Sequence, residues 1–483
     1  MYSALQGLEP KLLWQHFGAI SQIPRCSGNE KAVGDYIMKA AQRNNFDAKR
    51  DKIGNILVTI PASTGMEKRP TVILQGHTDM VCEKNNDTIH DFLNDPIKLL
   101  RKDDWITADG TTLGADNAIG FCCALAIMDD PSIPHPPMEF LFTVDEETGL
   151  TGASGLSSNF VSGKLMINLD SEEEGALYIG CAGGRHTILR KKIERIGLPA
   201  GFKTFKIKIG GLRGGHSGLE IHQDLGNAIK LTSRLLYHLK ENVSFHLNSI
   251  DGGNKHNAIP REAEAIISLN PDAFPSLSDF IQDMEKIYQN EYQYVDPGIF
   301  IKLEEMEPVR QVMEDETQKE IIHFLYSVPH GVMAMSHAVP GLVETSTNLA
   351  IVTCRENQIE ILTSQRSSVA TAGIDIADKV KSLGELAGFQ IEQGGSYPAW
   401  QPNPDSHLLN TAKNLYNELT GKKVEVKAVH AGLECGIIGE KYPGMDMISF
   451  GPTIQGAHSP DERVHIESVK NTWHFLLELL KRI

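Results

Sequence analysis

Residues 71–80, TVILQGHTDM, decide the fold of this chain. The apolar run at 72–74 predicts a buried strand, which ends where the polar residues begin. Residues two apart on a strand point to the same face, so His77 and Asp79 can project together from the carboxyl end of this strand. A neutral imidazole is a common metal ligand, and a nearby carboxylate can orient its ring. The alternative is a strand that ends in an ordinary polar loop.

The composition is that of a globular protein large enough for two domains. The chain has 483 residues, of which 41% are hydrophobic and 22% are charged. At this length we expect two domains, one of which can be inserted in the other. The net charge of −16 argues against a nucleic-acid partner, because phosphate binding needs clustered Lys and Arg.

The cysteines and the absence of long apolar runs predict a cytoplasmic protein. The seven cysteines are scattered and never form a CxxC pair, which is typical of buried thiols in a reducing compartment. The first residues lack the basic and apolar regions of a signal peptide, and no apolar run reaches the roughly 18 residues of a membrane span. We therefore expect no membrane partner.

Alternating strands and helices predict an α/β catalytic domain with a mixed, mainly parallel sheet covered by helices. From about residue 184 amphipathic strands with Lys and Arg on one face indicate an inserted α+β lid. The proline-rich stretch YPAWQPNPD is typical of a boundary. We therefore predict a catalytic domain at 1–184 and 398–483, and an inserted lid and dimerisation domain at 185–397.

Acidic residues recur where predicted strands end or helices begin. Asp116 precedes an apolar helix at 119–128, Glu146 and Glu147 follow a strand at 138–144, and Asp170 follows an apolar run at 165–169. In open α/β sheets ligands gather outside the carboxyl ends of the strands. The pattern predicts a site for two divalent ions that share a bridging carboxylate. The alternatives are a helix N-cap for Asp116 and a solvated acidic turn for the glutamates.

His458 is the remaining candidate imidazole. It follows a short buried strand and precedes a long carboxyl-terminal helix. A lone histidine at such a place is usually structural. Because the metal site upstream has an incomplete set of ligands, we expect His458 to be a ligand.

Six fragments in order across most of the chain carry a family resemblance. They are GHTDMV, LGADNAIG, VDEETG, NLDSEEEG, GGHSG and GAHSPDE. With them the chain resembles the carnosinase and aminoacylase family of di-zinc metallopeptidases. Within that family TTLGADNAIGFCCALA, HAGLECG and GPTIQGAHSPDERV are most similar to the branch that cleaves aminoacyl-histidine dipeptides.

The resemblance implies two divalent metal ions per chain, with zinc expected and cobalt or manganese as alternatives. Asp116 would bridge the two ions. His77 and Asp170 would complete the shell of one ion, and Glu147 and His458 that of the other.

The resemblance also implies roles for two residues beside the ligands. Asp79 would hold the ring of His77, and Glu146 would be the general base. A carboxylate bound to both metals could not take the proton of a water between them, so the adjacent glutamates must differ in role. In the family the Asp116–Asn117 peptide is cis.

Four further residues are implied to contact substrate. His216 would donate to the tetrahedral oxyanion from the lid of the other protomer of a homodimer; the alternative is a surface histidine in a glycine-rich turn. The segment after it lacks the proline common in the family. Asn257 and Arg366 would bind the peptide carbonyl and the terminal carboxylate, although Arg366 could equally be an ion-pair partner. Gly432 would form a wall for the amino-terminal residue.

Together these expectations describe a metal-dependent dipeptidase. It would hydrolyse small Xaa-His dipeptides, including β-alanyl-histidine, by attack of a metal-bridging hydroxide with Glu146 as base. An aminoacylase or deacetylase and an aminotripeptidase would use the same site. A protein that binds a metal or peptide without catalysis is the alternative of another class.

Overall fold

The computed structural model describes residues 3–483, which divide into two compact units. The first unit comprises the chain up to Gly180 together with Pro402–Ala428 and Leu433–Ile483. The second unit comprises Cys181–Gln401 and the short segment Val429–Gly432. That short segment has no counterpart in the predicted domain limits.

The helices and strands follow one another in three stretches. The first stretch contains α1 (Lys11–Ile20), α2 (Lys31–Arg43), β1 (Asp47–Arg50), β2 (Ile56–Ile60), β3 (Val72–His77), β4 (Leu99–Lys102), β5 (Trp105–Ala108), α3 (Ala115–Asp129), β6 (Met138–Thr143), α4 (Glu146–Gly149), α5 (Thr151–Gly155), β7 (Leu165–Asn168) and β8 (Ala176–Cys181). The second contains β9 (Gly183–Lys192), β10 (Arg195–Gly197), β11 (Lys203–Gly210), β12 (Gly215–His216), α6 (Ala228–Asn242), β13 (His246–Gly252), β14 (Ala258–Ile259), β15 (Ala263–Leu269), α7 (Phe274–Glu291), β16 (Phe300–Met306), β17 (Gln311–Met313), α8 (Asp315–Ser327), β18 (Gly331–Met335), β19 (Val343–Cys354), β20 (Gln358–Ser367), α9 (Ala370–Leu386) and β21 (Gln390–Tyr397). The third contains α10 (His407–Thr420), β22 (Glu425–Val429), α11 (Glu434–Lys441), β23 (Asp446–Ser449), β24 (Ile454–Gln455), β25 (Arg463–His465) and α12 (Ile466–Leu480).

An eight-stranded mixed sheet forms the centre of the first unit. Its strand order is β1-β2-β6-β3-β7-β23-β8-β22. The four central strands β6, β3, β7 and β23 are parallel, and β1 and β2 run antiparallel at one edge. Every residue of β3 and β6 is buried, as expected for strands covered on both faces. The predicted α/β fold is therefore confirmed, with parallel pairing among β6, β3, β7 and β23.

The second unit is built on an antiparallel sheet. Its strand order is β16-β11-β15-β13-β19-β20-β9-β21, and β18 pairs with β19. In β11 Phe205, Ile207 and Ile209 are buried, whereas Lys206 and Lys208 lie on the opposite, partly exposed face. This alternation explains the amphipathic pattern in the sequence, and the antiparallel sheet with its helices confirms the α+β architecture predicted for this part of the chain.

The structure excludes one alternative role for Asp116 and adds one helix in the third stretch. Gly114, with φ of 71°, precedes α3, and Asp116 lies inside its first turn with non-helical backbone angles, so Asp116 is not the N-cap. The segment Glu434–Lys441 forms α11 although it contains two glycines. Burial of Ile437 and Ile438 stabilises this short helix despite its glycines.

The expectation that all cysteines are thiols is wrong. Cys26 and Cys82 form a disulfide, with their Cα atoms 5.7 Å apart. Cys122 and Cys123 in α3 are buried thiols, as predicted. Among residues 3–483, no helix has both the length and the apolar character needed to cross a membrane.

Candidate metal centre

The first unit brings the predicted metal-site residues together at the carboxyl ends of its parallel strands. His77 ends β3, Glu146 and Glu147 begin α4 directly after β6, and Asp170 follows β7. Asp116 comes from the first turn of α3, and His458 from the loop between β24 and β25. The residues that follow β3, β6 and β7 are adjacent because parallel strands end at the same edge of a sheet.

One half of the centre surrounds His77. Its Nε2 atom lies 3.0 Å from Oδ1 of Asp116 and 3.2 Å from Oδ1 of Asp170. The three residues each offer a ligand atom within 4.8 Å of the others, a spacing that a single cation could span.

The other half surrounds His458. Its Nε2 atom lies 3.0 Å from Oε2 of Glu147 and 3.3 Å from Oδ2 of Asp116. Asp116 thus presents one carboxylate oxygen to each histidine, which is the arrangement that a bridging ligand requires.

The donor atoms of the centre fit two divalent cations. Oε1 of Glu147 is buried without a hydrogen-bond partner, and Oδ1 of Asp170 makes no well-aligned hydrogen bond although His77 is close. Leaving such acceptors unpaired in a buried place is costly. Burial raises the pKa of Asp170 to about 6, and nearby Asp116 and Glu147 add to this effect against the opposing influence of His77. Imidazole and carboxylate groups are ligands that zinc, cobalt and manganese accept.

Both histidines have raised pKa values. Hydrogen bonds to Asp116 and Glu147 raise the pKa of His458 to about 11. Burial alone would lower the pKa of His77, but Asp170, Asp116 and Asp79 outweigh burial and raise it well above its usual value. Protonation of the two rings offsets the negative charge of the carboxylates, and a bound cation would displace these protons.

Asp79 positions the ring of His77 and the start of α4. Its Oδ1 lies 3.3 Å from Nδ1 of His77, which leaves Nε2 to face the other carboxylates. It also accepts the backbone N–H groups of Glu146 and Glu147 and the hydroxyl of Ser27. Against the effect of burial, His77 and these donors lower the pKa of Asp79 to about 2.

Glu146 lies beside both sets of ligands. One of its carboxylate oxygens is within 4.8 Å of ligand atoms of His77 and Glu147. Burial raises the pKa of Glu146 well above its usual range, and Asp170 adds to this effect while His77 opposes it. A carboxylate with these properties can take up and release a proton.

Sequence reasoning missed Glu462. Its buried carboxylate accepts the backbone N–H groups of Leu113, Gly114, Ala115 and Asp116. The only signal in the sequence is its place at the end of GAHSPDE.

A buried polar layer under the site was also missed. Gln75 and Asn168, each two residues before a predicted ligand, are joined by a 2.6 Å hydrogen bond from the Asn168 side chain. Ser449 donates to Asn168, and Gln75 donates to Glu434. Burial raises the pKa of Glu434 to about 7. The layer joins β3, β7 and β23 to the first residue of α11.

In the second unit His216 is held in one tautomer. Its Nδ1 accepts the backbone N–H groups of Gly218 and Leu219, at 3.2 and 3.0 Å. Burial and the charge of Arg366 lower its pKa, so the ring is neutral near pH 7. The ring proton is therefore on Nε2, which is free to donate.

The other predicted substrate residues also lie in the second unit. Asn257 and His216 line the same cleft of about 650 Å³. Arg366 on β20 donates to the hydroxyl of Tyr397 at 2.8 Å. Gly432 lies against the ring of Tyr397.

Known proteins match this chain along its whole length. Residues 73–482 match the family model described as Peptidase family M20/M25/M40. The chain is 43% identical over 481 residues to a cytosol non-specific dipeptidase from Escherichia coli (strain K12), covering 100% of this chain and 99% of that protein. The crystal structure of an aminoacylhistidine dipeptidase from Vibrio alginolyticus matches with a TM-score of 0.94 and 42% identity, covering 100% of this chain and 98% of that one. An aminopeptidase structure from Bacillus cereus ATCC 10987, at 15% identity and a TM-score of 0.57 with 98% of each chain covered, shares the fold.

Proposed function

The chain belongs to peptidase family M20/M25/M40, and on that premise we propose that it is a metal-dependent dipeptidase that hydrolyses Xaa-His dipeptides, including β-alanyl-histidine. The observation that carries this proposal is the partly buried carboxylate of Asp116, whose two oxygens face His77 and His458. The names of the Escherichia coli and Vibrio alginolyticus relatives support a dipeptidase, and the second supports histidine at the carboxyl-terminal position.

Five residues would hold the two cations. His77 and Asp170 would bind one, Glu147 and His458 the other, and Asp116 both. We expect zinc, with cobalt and manganese as alternatives. Bound there, the cations would polarise the scissile carbonyl and lower the pKa of the attacking water.

Glu146 would move the proton. Its carboxylate would take a proton from the attacking water and deliver it to the nitrogen of the leaving histidine. Asp79 would support this step. It accepts hydrogen bonds from the backbone N–H groups of Glu146 and Glu147 and so fixes the orientation of both side chains.

His216 would stabilise the negative charge that develops on the carbonyl oxygen. The Nε2–H tautomer makes it a donor, and a neutral imidazole gives up no proton in doing so. We propose that the lid of a second copy supplies this residue in a homodimer.

Arg366 and Asn257 would bind the dipeptide. A guanidinium suits a terminal carboxylate because its planar N–H groups can bond both oxygens. Asn257 would bind the peptide carbonyl, and Gly432 would leave room near the amino-terminal residue. We further infer a cytoplasmic location, which the name of the Escherichia coli relative supports.

The test is a substrate panel with metal-depleted protein reconstituted with zinc, cobalt or manganese. We expect chelation to abolish hydrolysis of β-alanyl-histidine and other Xaa-His dipeptides, and metal to restore it. N-acetyl amino acids and tripeptides serve as the comparison for an acylase and an aminotripeptidase. Preferred cleavage of either comparison substrate, or full activity without metal, would contradict the proposal.

A further inference from the structure

Arg366 and Tyr397 meet across a glycine in the sheet of the second unit. Strand β9 lies between β20 and β21, and its Gly184 pairs with Arg366 on one side and Tyr397 on the other. A side chain at 184 would overlap the tyrosine ring. Because Gly184 has none, the two flanking side chains reach each other over it, with Nη1 of Arg366 2.8 Å from the Tyr397 hydroxyl.

The part of the chain that the structure describes offers the guanidinium of Arg366 no anionic partner. The residue is 8% exposed, and its Nε atom has no hydrogen-bond partner. Within residues 3–483 no carboxylate forms an ion pair with it. Its charge instead helps to lower the pKa values of four histidines, which are His186, His216, His256 and His430. A buried cation without a counter-ion is expected to receive one from a ligand.

The hydroxyl of Tyr397 is placed to serve the same ligand. Its oxygen accepts the hydrogen bond from Arg366, which leaves its own proton to be donated elsewhere. Burial raises the pKa of Tyr397, so the phenol keeps this proton. The ring is fixed from both sides: Gly184 lies against one edge, and a Cβ atom at Gly432 would come within 2.8 Å of Cε2.

We propose that Tyr397 is a second hydrogen-bond donor of the subsite that binds the terminal carboxylate of the dipeptide, beside Arg366. This inference rests on the proposed function. Arg366 supplies the charge, and Tyr397 both fixes the guanidinium and donates to one carboxylate oxygen. Gly432 is predicted to line the site for the amino-terminal residue. Its lack of a side chain also leaves room for the tyrosine ring.

The test compares β-alanyl-histidine with its carboxyl-terminal amide in the metal-loaded, full-length protein. We expect Tyr397→Phe to raise KM for the acid by about 10-fold or more, as for a lost hydrogen bond to a charged group, and to leave kcat within about threefold. KM for the amide should change little, so the preference for the acid shrinks. Gly432→Ala, which displaces the ring, should shrink the same preference.

Tyr288→Phe is the matched control. It removes another buried hydroxyl of the second unit, one that donates to the backbone oxygen of Leu231 at 2.8 Å. We expect it to lower the melting temperature without changing the preference for the acid. An unchanged preference in Tyr397→Phe, in an enzyme that cleaves the dipeptide, overturns the role of Tyr397 alone. A wild-type protein that cleaves neither compound overturns the dipeptidase proposal, and this inference with it.

Discussion

Glu462 fixes the backbone of Asp116 without touching its side chain. Its carboxylate accepts the N–H of Asp116 at 3.3 Å and those of the three preceding residues at 2.7, 2.8 and 2.7 Å. The residue is 2% exposed, so water does not compete for these bonds. The carboxylate that faces both histidines therefore depends on a second carboxylate behind it.

Loss of Glu462 should weaken metal binding. We expect Glu462→Ala to reduce metal affinity about 10- to 100-fold, because four backbone N–H groups at the start of α3 lose their shared acceptor and the backbone of Asp116 is no longer held in place. Competition with a chelator measures this affinity. The control is Glu467→Ala, an exposed residue paired with Lys470. Equal affinity in both variants would show that Asp116 is positioned by other contacts.

The metal content of ligand variants should show whether the two halves of the centre bind their ions independently. We expect two divalent ions per chain in the wild type and close to one in His77→Ala or His458→Ala. Asp116→Ala should retain neither ion firmly, because its oxygens serve both halves. Elemental analysis after gel filtration measures the content. A loss of both ions from each histidine variant would mean that the halves do not fill separately.

Glu146 should matter for turnover and not for metal content. Removing a general base typically costs about 10²- to 10⁴-fold in rate, so we expect such a loss of kcat in Glu146→Ala with two ions still bound. Activity and elemental analysis of the same preparation test this. Wild-type turnover in a metal-loaded variant would remove Glu146 from the mechanism.

The buried carboxyl of Glu434 should make stability depend on pH. Burial raises its pKa to about 7 from an ordinary 4.5, so the folded state holds this proton more tightly than the unfolded state. The stabilisation is present below pH 4.5 and is lost as pH rises through 7. It amounts to about 3 kcal/mol.

Glu434→Gln should lack this dependence. We expect the melting temperature of the metal-depleted variant to rise relative to wild type between pH 5 and pH 8, and the gap to level off above pH 7. Scanning calorimetry of both proteins measures the gap. A constant gap would indicate that Glu434 is ionised in the fold throughout.

Local patterns predicted the elements that depend on local physics. Apolar runs located β3, β6 and β7, because burial on a sheet requires such runs. The carboxylates after these strands could be grouped because strand ends share an edge. The roles of individual residues came from the family resemblance and stay predictions to be tested by the variants above.

Contacts between residues far apart in the sequence could not be predicted from local patterns. Nothing near Glu462 shows that its partners lie some 346 residues earlier. The meeting of Arg366 and Tyr397 depends on the register of three strands, which no single segment encodes. The Cys26–Cys82 disulfide likewise depends on the approach of two distant loops.

The distance along the chain between Asp116 and the segment of His458 and Glu462 has a consequence for assembly. In sequence, the whole second unit lies between them, so contacts within the centre close one of the longest loops in the molecule. Closing such a loop is entropically expensive and tends to occur late in folding. Ions bound by residues from both ends of this loop would oppose their separation, so we expect the metal-loaded enzyme to resist heat and proteolysis better than the metal-depleted one.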